Sequence, residues 1–207
     1  MDLKEHIRSI QDYPKKGILF RDITTLIKNE KAFKECINQI VERSKKFNFD
    51  KIAAVESRGF VFASAISYIL DKPFIMLRKK NKLPAEVHSV DFELEYGTAT
   101  IEVHKDSFNE NDNVLIIDDL IATGGTAEAA AKLVDISEAT VAGFIFVINL
   151  YDLSGCDNLI KQGYLGIFLF ISLNFISMVN LSNHRVRKKN LISLIPQMKK
   201  LLDTILS

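Results

Sequence analysis

Two hydrophobic periods organise this chain. From Lys31 to Phe47, Phe33, Ile37, Ile40, Val41 and Ser44 recur at helical spacing, which predicts an amphipathic helix. Short buried-looking runs follow at Lys51–Val55, Pro73–Leu77, Val114–Ile117 and Val141–Ile148. Continuous apolar runs of this length read as strands covered on both faces. Gly59–Leu70, rich in Ala, Phe and Ile, and an Ala-rich stretch from Ala127 to about Asp135 read as helices between them. Helices alternating with buried strands predict a parallel sheet with right-handed crossovers, an α/β fold. Between Arg78 and Gly97 lies a long polar stretch with no clear period, and Thr98–His104 alternates like a strand returning from it. Long stretches of that kind inside a compact domain are often functional lids.

At 207 residues the chain has room for one sizeable α/β domain and is short for two. Its 47% hydrophobic and 26% charged residues are ordinary for a soluble globular protein. A formal net charge of +1 supplies no bulk attraction to nucleic acid, so a nucleic-acid partner is not expected. Cys36 and Cys156 have no metal-ligand spacing and read as reduced thiols of a cytoplasmic protein. The polar start, Met-Asp-Leu-Lys-Glu-His, carries no apolar signal-peptide core.

Candidate chemistry concentrates in residues 114–126. Asp118 and Asp119 follow the apolar run, then Leu120-Ile121-Ala122, then Thr123-Gly124-Gly125-Thr126 ahead of the Ala-rich helix. A Gly-rich turn feeding a helix N-terminus offers backbone N–H groups and a positive dipole end to a phosphate. Carboxylates beside such a cradle would repel the anion unless they grip sugar hydroxyls or a hydrated Mg²⁺. The implied ligand is a ribose phosphate. Gly124 is expected to let the backbone approach that phosphate closely. Ligands of open α/β sheets collect at the carboxyl ends of the strands. Glu56-Ser57-Arg58-Gly59, Arg78-Lys79 and Asp118-Asp119 bring charge to that one rim, although Arg78 and Lys79 taken alone also fit a solvated surface.

The 114–126 segment resembles the signature of the type I phosphoribosyltransferases, which bind 5-phosphoribosyl 1-pyrophosphate (PRPP). Further blocks resemble the adenine-using branch of that family: Asp12-Tyr13-Pro14, Gly17 to Thr24, Glu56 to Phe60, Arg78-Lys79 with Lys82-Leu83-Pro84, and Leu94-Glu95-Tyr96-Gly97. The resemblance runs from about Ile10 to Leu159. It implies a parallel sheet flanked by helices with a small N-terminal hood and a flexible lid, all within residues 1–165. The implied reaction transfers the phosphoribosyl group of PRPP to adenine, giving AMP and pyrophosphate. A phosphoribosyltransferase for another nucleobase, or a PRPP-binding regulator on the same fold, shares part of this pattern.

Carried over by position, the hood backbone at Leu19 and Arg21 would read the edge of adenine, and Arg58 would lie near the purine. Phe20 either packs beside the base or belongs to the core. Arg78, Lys79 and Lys82 would neutralise pyrophosphate, one of them reaching across a homodimer. Asp118 and Asp119 would take the ribose hydroxyls, and Ala122, Thr123, Gly124, Gly125 and Thr126 the 5′-phosphate. Mg²⁺ would be held mainly through PRPP, with the two aspartates reaching it through water. Glu95 is the acid/base candidate, and Tyr96 would help shut the lid against water.

Residues 166–207 read as an extension. Gly166–Ile171 can supply one more strand, while Leu165–Leu181 is apolar but broken by Ser172, Asn174, Ser177 and Asn180. It falls short of the ~20 apolar residues of a membrane helix. The basic run His184–Lys189 would suit an anchor, but an edge-covering or dimer-contact element is the expectation. Leu191–Leu206 has helical spacing.

Overall fold

The computed structural model describes residues 1–94, 97–164 and 167–173. After a short 3₁₀ turn (Leu3–His6), β1 (Arg8–Gln11) and β2 (Leu19–Asp22) form an antiparallel two-stranded sheet. Then come α1 (Thr24–Ile27), α2 (Glu30–Ser44), β3 (Lys51–Val55), α3 (Arg58–Leu70) and β4 (Phe74–Lys79). A hairpin of β5 (Val87–Leu94) and β6 (Gly97–His104) precedes β7 (Asn113–Ile121), α4 (Gly125–Ile136), β8 (Thr140–Leu150), α5 (Gly155–Lys161) and β9 (Ile167–Leu173).

The main sheet has the order β5-β6-β4-β3-β7-β8-β9. Neighbours from β4 to β9 run parallel, whereas β6 joins β4, and β5 joins β6, antiparallel. The sheet is therefore mixed at one edge. Part of the polar 78–97 excursion is an ordered strand, β5, paired antiparallel with β6. β5 is an edge strand, and its Val90 is buried.

Two apolar layers sandwich the sheet. Cys36, Ile37 and Ile40 of α2 pack with Phe62, Ala63 and Ile66 of α3 on one face. Ala127, Ala130, Ala131, Leu133 and Val134 of α4 cover the other. Their i, i+3, i+4 spacing is what the helical period predicted. Asn29 caps α2 through an Oδ1 that accepts the Ala32 N–H at 3.0 Å, worth about 1 kcal/mol.

β3 sits between β4 and β7, so the chain leaves β3 to one side first and to the other afterwards. This reversal of strand order opens a crevice outside the carboxyl ends of β3 and β7. The two strands also end at different heights. β3 stops at Val55, one residue beyond the Ala54–Ile117 pair, whereas β7 continues to Ile121 with β8 as its partner. Asp118 and Asp119 thus lie inside β7 rather than beyond it.

Candidate functional site

The crevice holds a cavity of about 610 Å³. Pro14 and Phe20 line it from the hood, Glu56, Ser57 and Arg58 from the turn after β3, and Asp118 to Ala127 from β7 and the start of α4. Glu93 and Phe146 complete much of the wall. A neighbouring cavity of about 490 Å³ shares Val55, Glu56 and Thr126 and adds Lys79, Lys80 and Thr100. Phosphate-cradle, acid and hood residues that lie far apart in sequence therefore meet in one place.

The floor is the aspartate pair. Ile116 and Ile121 pack in the α4 layer while Ile117 and Leu120 pack in the α2/α3 layer. Strict alternation would put Ile117 and Ile121 on the same face. The period slips by one residue across the two aspartates. Asp118 Oδ1 accepts the Asp119 N–H at 2.8 Å. Asp119, 3% exposed, has Arg58 Nε at 3.1 Å from its Oδ2, yet that oxygen receives no aligned hydrogen bond among the described residues. Burial raises both carboxyls above the usual range, and for Asp118 the charge of Asp119 raises it further. A buried oxygen without an aligned donor is suited to a ligand hydroxyl.

Above the floor, Gly124 holds φ +97° and precedes α4 without a side-chain cap. The Glu128 N–H donates to the Gly124 carbonyl, so the first-turn amides before it point out of the helix, as at any uncapped N-terminus. The reason for glycine differs from the expectation. A Cβ on Gly124 would meet the Gly155 oxygen at 3.1 Å, and one on Gly125 the Glu93 oxygen at 2.7 Å. On the side where a Cβ would project, the protein's own backbone takes up the room, and the amides face the cavity. Gly155 N–H donates to the Ala122 carbonyl at 3.0 Å, and Asn158 Nδ2 to the Thr123 carbonyl at 3.2 Å.

Cations stand on the far side. Arg78 Nε donates to Glu56 Oε2 at 3.0 Å, and the Lys79 backbone N–H donates to the same oxygen at 2.9 Å. These two bonds, the Arg78 side chain first, hold the Glu56 carboxyl below its usual range. Lys79 lines the smaller cavity, Arg78 is tied to Glu56, and Lys82 is exposed and lines neither.

The hood reaches the cavity through Pro14 and Phe20. Phe20 touches Tyr13 edge-on at 5.2 Å between ring centroids and has the Arg58 guanidinium 5.8 Å from its own centroid. Phe20 is thus a wall residue and is half-buried. Leu19 and Arg21 do not line the cavity; they pair with Gln11 and Ser9 across the hood ladder. Arg8 forms a short ion pair with Asp22, whose carboxyl is lowered to about 2 by the hydrogen bonds from Arg8 and Thr24. Glu95 and Tyr96 lie outside the described residues.

Glu56, Ser57 and Arg58 of the expected rim and Pro14 of the expected hood block line the cavity, whereas Glu93 and Phe146 as lining residues and Gly155 as a support were not expected. Glu93 and Gly155 are brought in by pairing that local pattern does not encode.

The Phosphoribosyl transferase domain family matches residues 22–158. Adenine phosphoribosyltransferase of Pelagibacter ubique (strain HTCC1062) is 77% identical over 164 residues, 79% of this chain and 94% of that protein. The chain belongs to the adenine phosphoribosyltransferase family. A crystal structure of adenine phosphoribosyltransferase from Thermoanaerobacter pseudethanolicus is 45% identical, superposes with a TM-score of 0.79, and covers 83% of this chain and 98% of its own. The Saccharomyces cerevisiae adenine phosphoribosyltransferase, solved with adenine and an imino-altritol bisphosphate, is 34% identical with a TM-score of 0.71, covering 82% and 95%. Membership in the adenine phosphoribosyltransferase family makes the chain a transferase. Among the described residues no helix is long and apolar enough to cross a membrane.

Proposed function

We propose that the chain transfers the 5-phosphoribosyl group of PRPP to adenine, releasing pyrophosphate and forming AMP, as a purine salvage enzyme. The observation that carries this reading is the meeting of Phe20, Arg58, Asp118, Asp119 and the 122–126 turn in one cavity. A yeast relative solved with adenine supports the choice of base. The outward amides of 123–127 take the 5′-phosphate, and Asp118 and Asp119 take the ribose hydroxyls. Lys79, Arg78 and Lys82 lie toward the pyrophosphate, Arg78 after exchanging its Glu56 partner. The hood backbone at Leu19 and Arg21 meets the amino and ring-nitrogen edge of adenine, because β2 has one edge that pairs with no strand among the described residues.

In the reaction the bond from ribose C1 to pyrophosphate breaks as adenine N9 attacks C1 from the opposite face. The protein aligns the two reactants and stabilises separating charge. The aspartate floor favours positive charge developing on the sugar. Glu95, two residues beyond cavity-lining Glu93, is the acid/base group, and Tyr96 helps exclude water. Asp118 and Asp119, two adjacent carboxylates facing the cavity, would serve as outer partners of a Mg²⁺ held largely by PRPP oxygens. The ion would neutralise pyrophosphate charge. The working protein is a cytoplasmic homodimer in this reading, with exposed Tyr68 and Ile69 of α3 and Met76 of β4 offering apolar surface to a second copy.

The deciding experiment mixes purified protein with PRPP, Mg²⁺ and each nucleobase. AMP and pyrophosphate form from adenine, with far slower turnover of hypoxanthine and guanine. Their 6-oxo edge inverts the hydrogen-bond pattern and leaves a buried group unpaired, a loss of ~1–3 kcal/mol. Equal rates with the 6-oxo purines would overturn the hood assignment.

A further inference from the structure

We propose that Glu102 is a positioning residue for pyrophosphate: it fixes the cationic turn after β4 while leaving the turn's charge available. This rests on the reading that the Arg78–Lys82 turn faces the pyrophosphate of PRPP. Glu102 lies on β6, between Arg78 of β4 and Ser89 of β5 in register. It is only 6% exposed, and no Lys, Arg or His forms an ion pair with it among the described residues. A buried carboxylate needs a substitute for lost water. Glu102 finds it in the Asn81 backbone N–H, which donates to Oε2 at 2.9 Å, and more weakly in Ser89 Oγ, 3.4 Å from Oε1.

The choice of partner is informative. Arg78 is its cross-strand neighbour, where an ion pair would be expected. The Arg78 guanidinium goes instead to Glu56, which also takes the Lys79 amide. Two carboxylates thus grip the turn at both ends, largely by backbone amides. Asn81, at the Glu102 end, holds φ +64°, a left-handed conformation that Asn tolerates better than most non-glycine residues. Lys79, Lys80 and Lys82 form no ion pair among the described residues. Lys79 and Lys80 line the neighbouring cavity, which shares Val55, Glu56 and Thr126 with the cavity of the aspartates. Arg78 is paired with Glu56, but a turn pinned otherwise through amides is preorganised for an anion with its lysines not neutralised.

The test uses the intact enzyme in the AMP-plus-pyrophosphate direction. Glu102→Leu should raise KM for pyrophosphate about tenfold, the scale of one hydrogen bond to a charged group. KM for AMP and kcat should stay within about twofold. Glu102→Gln, which keeps an acceptor for the Asn81 amide, should restore KM to within about threefold. A parallel rise in both KM values, or a fall in kcat alone, overturns the assignment. If Glu102→Leu does not fold, amide exchange on the parent protein decides: the Asn81 amide should be protected, and fast exchange there overturns the proposal. Arg78→Ala and Lys79→Ala separate the two layers of inference. If neither weakens pyrophosphate, the turn is not its site. If they do and Glu102→Leu does not, Glu102 alone is ruled out.

Discussion

The floor and the rim of this cavity use the same functional group in opposite ways. On the floor, Asp118 and Asp119 are adjacent in β7, shut in by the sheet, and raised in pKa by burial. On the rim Glu56, and in the hood Asp22, are lowered in pKa, chiefly by hydrogen bonds from Arg78 and Arg8. These two acids spend their oxygens on the protein and stabilise it. The floor acids are held where their charge is disfavoured, and Asp119 keeps an oxygen without an aligned donor among the described residues. Groups that work on a ligand are those the fold holds at a cost, and groups that shape the site are those it satisfies.

Breaking the floor should give the largest effect. Asp118→Asn removes the acid proposed to meet the ribose and to favour positive charge on it, so kcat/KM for PRPP should fall by about 10²-fold or more. The same change should raise the melting temperature, by about 2–4 °C if roughly 1 kcal/mol of like-charge and burial cost is relieved. The sign follows from the raised pKa. Stability from such a group is complete below the unfolded carboxyl pKa and is lost as pH rises through the folded one. A neutral side chain therefore helps most at pH 7 and little at pH 3. Steady-state kinetics beside melting curves at both pH values check it; a lower melting temperature at pH 7 would contradict the contrast.

At the rim the signs reverse. Glu56→Ala removes the acceptor that fixes the Lys79 amide and the start of the turn, so the turn loses its preorganised shape and KM for pyrophosphate should rise about tenfold while the melting temperature drops. A loss of turnover with unchanged pyrophosphate KM would place Glu56 with the floor instead. The smallest effect belongs to the hood. Asp22→Asn should cost about 1 kcal/mol or less, because Arg8 is largely exposed and the pair is screened. The Asp22 contribution is present above pH ~4, and is lost as pH falls through about 2. Denaturant midpoints of the parent and variant should therefore converge between those values. A gap that persists at pH 2 would mean that the Asp22 contacts do not depend on its charge.

How much of this was legible in the sequence depends on whether the signal was local. The helical period of α2 is readable because one face of it packs in one apolar layer, and the continuous apolar runs of β3, β7 and β8 are readable because each strand feeds both layers. The Thr-Gly-Gly-Thr turn was readable because its chemistry is contiguous. β7 was cut short at Ile117 because aspartates are poor strand formers, but pairing with β8 carries the strand to Ile121. β5 escaped notice as an edge strand. Glu102 carried no local mark, since a charged residue in an alternating strand reads as solvent-facing, and only the packing of β4 and β5 around β6 buries it. The strand expected at Gly166–Ile171 is β9 at Ile167–Leu173, joined parallel to β8. The basic run and the helical spacing farther on lie outside the described residues.

The contact between the Ala122–Gly125 turn and Gly155 bears on inheritance and design. A Cβ at Gly155 would come within 2.3 Å of the Ala122 oxygen. The turn therefore keeps its shape by leaning on a backbone delivered by the next strand and the start of α5. The acid-and-glycine segment is not a portable cassette. A scaffold given residues 114–126 alone would acquire the letters of the motif without the surface that moulds it, and a lineage can vary the turn only in step with Gly155.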